Sequence, residues 1–207
     1  MNLTSKRESL KRFYHPLGEA LAKTGIPPNF LTLLSLFLGS LSAYLFYHRM
    51  PLGGAFFLAL SGLFDLMDGV VARTAGKTTK FGAVFDWIAD KWVDGFVLGA
   101  VGFAYASPFV AITAVVVSML HSFIKPVVYA EIGYGERVKG KIVDPLEGVG
   151  FFGRPETHAT LLLFSLLEKS PLPVGLKEGI TLVAGLTLLS LLQRIVYLYR
   201  RYGKEPD

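Results

Sequence analysis

The sequence predicts an all-α integral membrane protein: six transmembrane helices preceded by an amphipathic interfacial helix, with both termini cytoplasmic. Three observations predict it. Hydrophobic residues make up 52% of the 207 and gather in several runs of roughly 20, the length that crosses a bilayer core as a helix. Lysine and arginine crowd the connections on one side and are sparse on the other. The opening residues interleave basic and apolar positions at helical spacing.

Within residues 3–24, Lys6, Arg7, Lys11, Arg12 and Lys23 alternate with Leu10, Phe13, Leu17, Ala20 and Leu21. The i, i+3, i+4 spacing of the apolar set predicts a helix lying on the membrane surface; a solvated basic tail is the plainer alternative. Residues 1–12 carry charge but no apolar run leading to a small-residue cleavage site, so no removable signal peptide is expected. Pro27 and Pro28 end the first helix, and Asn29 is the predicted cap of the next. The spans read as 30–47, 52–75, 81–105, 109–130, 150–167 and 180–199. The whole forms one membrane domain, 1–207: a juxtamembrane helix and linker (1–26), a six-helix bundle (27–200) and a short tail (201–207).

Orientation follows from the cations. The opening helix, the Arg73–Lys80 turn, the loop bearing Arg137, Lys139 and Lys141, and the tail with Arg200 and Arg201 share one side, while the other has only Arg49, Lys169 and Lys177. The positive side faces the cytoplasm. With no cysteine in the chain, disulfides, thiolate metal sites and cysteine nucleophiles are excluded.

Four aspartates interrupt this apolar sequence: Asp65, Asp68, Asp86 and Asp90. Carboxylates are costly in hydrocarbon unless paired, metal-bound or facing water. Asp65 and Asp68 share one helical face, and Gly82, Asp86 and Asp90 share another. Helix rise puts all four within roughly 5–15 Å of the cytoplasmic boundary. Hard oxygen ligands without histidine or cysteine suit Mg²⁺, Mn²⁺ or Ca²⁺, and Mg²⁺ usually completes its shell with water and substrate phosphate. A phosphate-bearing substrate is therefore expected. Neutralising the four acids by neighbouring cations alone would need more partners than Lys80 and Lys91. Gly69, Ala72 and Gly82 would let a ligand approach the helix backbones, although small residues also serve helix packing. Arg73 can grip a phosphate or anchor the helix at the positive side. Asp94, one turn beyond Asp90, is expected to pair with Lys91 or a neighbouring helix rather than orient a substrate.

The pattern D-x-x-D-G-x-x-A-R, eight residues, then G-x-x-x-D-x-x-x-D, complete from Asp65 to Asp90, resembles the signature of the CDP-alcohol phosphotransferase family. The Pro28-Asn29-Phe30-Leu31-Thr32 entry to the first span is similar as well. The resemblance implies that an acceptor hydroxyl attacks the β-phosphorus of a CDP-linked donor and CMP leaves. It implies Asp65, Asp68, Asp86 and Asp90 as metal ligands for one or two Mg²⁺ or Mn²⁺ ions, with Asp90 also the general base. Asp65, Asp68, Gly69, Ala72, Arg73 and Gly82 would bind the CDP moiety.

A site at the membrane boundary suits a CDP-lipid donor and a small polar alcohol as acceptor, in a multi-pass protein of the cell membrane whose site faces the cytoplasm. Lys125, Arg137 and Arg154 are the candidate acceptor-binding residues; such a basic group suits a polyol phosphate, inositol phosphate or glycerol phosphate, and equally suits anionic lipid. Serine is the competing acceptor, since Phe152-Gly153-Arg154-Pro155 is similar to the corresponding entry in that branch. A divalent-cation transporter is the non-enzymatic alternative. No nucleic-acid partner is expected. The family tends to homodimerise, and Gly95 with Gly99 offers a small-xxx-small face for it. The four histidines, scattered along the chain, read as hydrogen-bonded residues rather than ligands, His158 being the nearest to an exception.

Overall fold

A computed structural model describes residues 7–132, 137–138, 141–142, 146 and 148–204, with side-chain surroundings over 14–131, at 146 and over 148–204. Among these residues the chain is helical: α1 (Arg7–Lys23), α2 (Pro28–Tyr47), α3 (Pro51–Thr74), α4 (Lys80–Tyr105), α5 (Pro108–Ile132), α6 (Arg154–Leu167) and α7 (Leu176–Tyr202). A two-residue antiparallel ribbon, β1 (Arg137–Val138) with β2 (Lys141–Ile142), lies in the loop before α6.

Proline explains where several helices begin. Pro28, Pro51 and Pro108 each open a helix, where a missing N–H breaks no bond and the fixed φ already suits the helix. The starts therefore fall one or two residues earlier than hydrophobicity alone indicates. Asn29 consequently does not cap α2: Pro27 is the cap residue and Asn29 lies inside the first turn. At α4 the cap is Thr79, whose hydroxyl accepts a bond from the Gly82 N–H at 2.9 Å.

Helix α2 is the hub, packed against both α3 and α4, while α5, α6 and α7 complete the bundle. The dry core of Phe46, Leu58, Val97, Val101, Leu161, Ile180 and Val183 occupies the end of the bundle away from the aspartates. Nearer the middle, Ser35 and Ser61 each donate to the other's backbone carbonyl at 2.9 Å. Such polar ties between helices contribute about 0.6 kcal/mol each in a membrane.

α2, α3, α5 and α7 are long and apolar enough to cross a membrane; α4 is long but carries several charges, and α6 has only 14 residues. The outer surface bears large apolar side chains, Phe37 at 64% exposure and Phe109 at 80% among them, a belt no water-facing surface of this kind would keep. α1 packs along α3, with Leu21 of the predicted stripe set against Met67 and Val71. Tyr14 and Gly18 are buried, with a Cβ at Gly18 falling 2.6 Å from Val70, while Leu17 and Ala20 are exposed. The side chains of Leu10 and Phe13 lie outside the described residues.

Candidate active site

The acids meet because α3 and α4, joined by the short turn 75–79, both pack on α2. Asp65 and Asp68 lie in the last turns of α3, and Asp86, Asp90 and Asp94 recur every fourth residue from the second turn of α4 to its middle. One carboxylate oxygen from each of Asp65, Asp68 and Asp86 lies within 4.8 Å of the others. Two oxygens on opposite sides of one Mg²⁺ stand about 4.2 Å apart, so the three residues fit a small divalent cation with little adjustment. Asp68, 5% exposed, is oriented by Thr32, whose hydroxyl donates to Oδ2 at 2.6 Å. That contact was invisible in the sequence, where Thr32 is one of many polar residues on a long apolar helix.

The fourth member of the predicted metal set is engaged differently. Arg154, the first residue of α6, places Nη1 2.7 Å from Asp90 Oδ1 and 2.9 Å from Asp65 Oδ2, and its Nε 3.0 Å from Asp94 Oδ1. Asp94 in turn receives Lys91 Nζ at 2.9 Å and His158 Nε2 at 3.2 Å, and Lys91 also reaches Ser122 Oγ at 2.8 Å. Lys91 thus pairs with Asp94 as expected, and His158 is a hydrogen-bonded residue. The central cation is Arg154, named in the sequence as a candidate acceptor-binding residue and here tied to three acids.

Arg154 is delivered to this position by a clamp that sequence reasoning missed. Gly150, at φ +98, turns the chain into α6 in a conformation that glycine alone adopts readily, and a Cβ there would lie 2.8 Å from Arg194 Nε. Buried Arg194 of α7 donates to Val149 O at 3.0 Å and to His121 O at 2.7 Å. Ser190 Oγ accepts from Phe152 N at 3.3 Å and bonds His121 Nε2 at 3.0 Å. Glu156 Oε2 accepts from Gly153 N at 3.0 Å, closing the first turn of α6. The available signal was Arg194 itself, since an arginine within an apolar run demands a partner.

On the other side of the acids a cavity of about 180 Å³ is lined by Gly69, Ala72, Arg73, Gly82 and Asp86, with Asn29, Thr32, Lys77 and Thr79 completing it. That volume holds part of a ligand; whole ligands usually need several hundred Å³. The small residues keep it open. A Cβ on Gly69 would stand 3.2 Å from Arg73 Nη1, and one on Gly82 would stand 3.2 Å from Asn29 Oδ1. Of the residues singled out from the sequence, Asp68, Gly69, Ala72, Arg73 and Gly82 line this cavity, whereas Asp65 stands on the Arg154 side.

Lys125 is on α5, half-buried and one turn beyond His121. Arg137 pairs with Ile142 in the ribbon, and its side chain lies outside the described residues, as does Lys139. Gly95 and Gly99 face α5 of the same chain, near Met119 and Val115, and border an apolar groove of about 710 Å³ between α2, α4 and α5.

Comparison with known proteins adds the following. The family described as CDP-alcohol phosphatidyltransferase matches residues 26–182. The archaetidylinositol phosphate synthase of Pyrococcus horikoshii is 33% identical over 96 residues, 46% of this chain; the chain spans about half of that relative's length, 51%. The phosphatidylinositol phosphate synthase of Corynebacterium glutamicum is 28% identical over 204 residues, 97% of this chain and 88% of that one. The solved structure of Mycobacterium tuberculosis phosphatidylinositol phosphate synthase with CDP-DAG bound has a TM-score of 0.74 at 26% identity, covering 95% of this chain and 98% of that one. The structure of the same synthase in complex with manganese and citrate has a TM-score of 0.74 at 25% identity, covering 94% and 93%.

Proposed function

The chain belongs to the CDP-alcohol phosphatidyltransferase family, and from that premise we propose that it moves a phosphatidyl-type group from a CDP-lipid to a hydroxyl of a polyol phosphate, releasing CMP. The lipid part is diacylglycerol phosphate or its archaeol counterpart. Inositol phosphate is the preferred acceptor and glycerol phosphate the second. Support for a polyol phosphate comes from the relatives, two of which are named as inositol phosphate synthases.

One observation carries the reading: the carboxylates of Asp65, Asp68 and Asp86 converge between a small-residue cavity and the Arg154 guanidinium. Asp65, Asp68 and Asp86 would hold Mg²⁺ or Mn²⁺, and Asp90, engaged by Arg154, is the further candidate ligand. When bound, the ion neutralises charge on the donor phosphates and on the departing CMP. The cavity beside Gly69, Ala72 and Gly82 takes the cytidine end of the donor, and Arg73 grips a donor phosphate. On the far side Arg154, with Lys125 and Arg137 as further candidates, receives the phosphate of the acceptor. The acceptor oxygen then attacks the β-phosphorus, the bond from that phosphorus to the bridging oxygen breaks, and Asp90 takes the hydroxyl proton.

The same reading makes the chain one membrane domain in which α2 to α7 all span, α4 and α6 included. Both termini and the site then lie on the cytoplasmic side of the cell membrane, with α1 on its surface. A homodimer is part of the proposal.

The test is to supply the purified protein with CDP-lipid and Mn²⁺ together with inositol phosphate, glycerol phosphate, serine or inositol in turn. The lipid product is identified by mass. Transfer to a polyol phosphate is expected; transfer to serine alone would overturn the acceptor assignment.

A further inference from the structure

Asp94 lies outside the aspartates already assigned, yet it is among the most enclosed of them at 5% exposure. Both its oxygens are in use. Oδ2 accepts from Lys91 at 2.9 Å, and Oδ1 accepts from Arg154 Nε at 3.0 Å and faces His158 Nε2 at 3.2 Å. A buried carboxylate is retained only where its partners compensate its desolvation. Here the partners come from α4 itself and from α6, a helix that reaches the site from the opposite half of the chain.

The geometry of arginine gives the arrangement its meaning. A guanidinium is flat, and its five donors leave in fixed directions. Once Nε is tied to Asp94, the plane and the positions of both terminal nitrogens are set. Nη1 then falls between Asp65 and Asp90, with both carboxylate oxygens inside 3 Å. Nη2 is buried and has no hydrogen-bond partner among the described residues. It is the donor left over for a ligand.

We propose that Asp94 is a positioning residue for the transfer: with Lys91 and His158 it fixes the Arg154 guanidinium across Asp65 and Asp90 and presents Nη2 to the acceptor. This rests on the reading above, in which Arg154 meets the acceptor phosphate. Asp94 itself touches neither substrate. Its effect passes through Arg154, and a misplacement of about 1 Å in such a group costs on the order of 100-fold in rate.

The experiment compares Asp94→Asn, Arg154→Lys and the double variant, using the full chain in lipid nanodiscs with CDP-lipid, Mn²⁺ and inositol phosphate. Asn keeps the size of Asp94 and one acceptor oxygen but loses the charge that holds Nε. Asp94→Asn is expected to raise the acceptor KM and lower kcat/KM for the acceptor 10- to 100-fold, with CDP-lipid affinity changed less than twofold. In the Arg154→Lys background, where the fork is gone, the same substitution is expected to change kcat/KM less than threefold. Equal losses for donor and acceptor, or the full loss repeated in the Arg154→Lys background, would overturn the proposal in favour of a general packing role. A structure of Asp94→Asn reads the same point without turnover: Nη1 should leave the Asp65–Asp90 bridge, and an unchanged bridge would refute it. Absence of transfer by the unmodified protein to any polyol phosphate would instead refute the functional reading, leaving the structural readout to judge Asp94.

Discussion

Replacing Thr32 by valine removes one hydroxyl and nearly nothing else, so its consequence can be worked out from a single bond. Thr32 Oγ1 donates to Asp68 Oδ2 at 2.6 Å, with Thr32 4% exposed and Asp68 5%. A hydrogen bond to a charged group contributes about 1.5–3 kcal/mol, and at about 1.4 kcal/mol per decade its loss corresponds to about 10- to 150-fold. The carboxylate is one of three that fit the divalent cation, so the loss should appear as weakened metal affinity; partners that orient metal ligands typically matter 10- to 100-fold. Titrating Mn²⁺ into the protein by calorimetry, and separately measuring the Mn²⁺ needed for half-maximal CMP release, should both show the shift. Thr32→Ser, which keeps the hydroxyl, should stay within about threefold of the unmodified protein. An unchanged Mn²⁺ requirement in Thr32→Val would refute the claim that α2 orients the metal ligands.

Three further outcomes are expected. Asp90→Asn should abolish CMP release while binding of CDP-lipid persists, measured by turnover and by direct binding; full turnover would remove Asp90 from the role of base. Gly82→Val should raise the KM for CDP-lipid by at least about tenfold and leave that of the acceptor unchanged, because the new side chain meets Asn29 and Thr79 at the cavity wall. Arg194→Met should lower stability by about 2–3 kcal/mol, since two carbonyls lose a charged donor, and its thermal midpoint should fall in step.

Much of the acid cluster and the cavity beside it was legible because it is local. Asp65, Asp68, Gly69, Ala72 and Arg73 belong to one helix and Gly82, Asp86 and Asp90 to the next, so helical spacing and one short turn bring them together without knowledge of the rest of the fold. The contacts of Arg154 were not legible. Its contacts reach 60 residues to Asp94 and 89 to Asp65, and nothing local says which acids an arginine at a helix entry will meet. Asn29 was misassigned as a cap because the rule for polar caps competes with proline at the first turn, and proline prevailed. On α1 periodicity marked Leu21, which packs near Met67 and Val71, but the close approach of Gly18 to Val70 was not visible in it, because the backbone contact depends on a partner helix far along the chain.

The long reach of Arg154 also governs how the protein is made. Asp65 leaves the ribosome 89 residues before its cationic partner, and at about 5–20 residues per second that is a delay of about 4–18 s. Through that interval α4 holds Asp86, Asp90 and Asp94, the last already facing Lys91, and each aspartate placed at mid-bilayer would cost about 2.5–3.5 kcal/mol. If α4 spans as proposed, it is expected to wait at the translocation channel or the lipid headgroups and to seat fully only when α6 arrives. A chain stopped short of residue 154 would present those acids to the quality-control machinery of the membrane as an unfinished product.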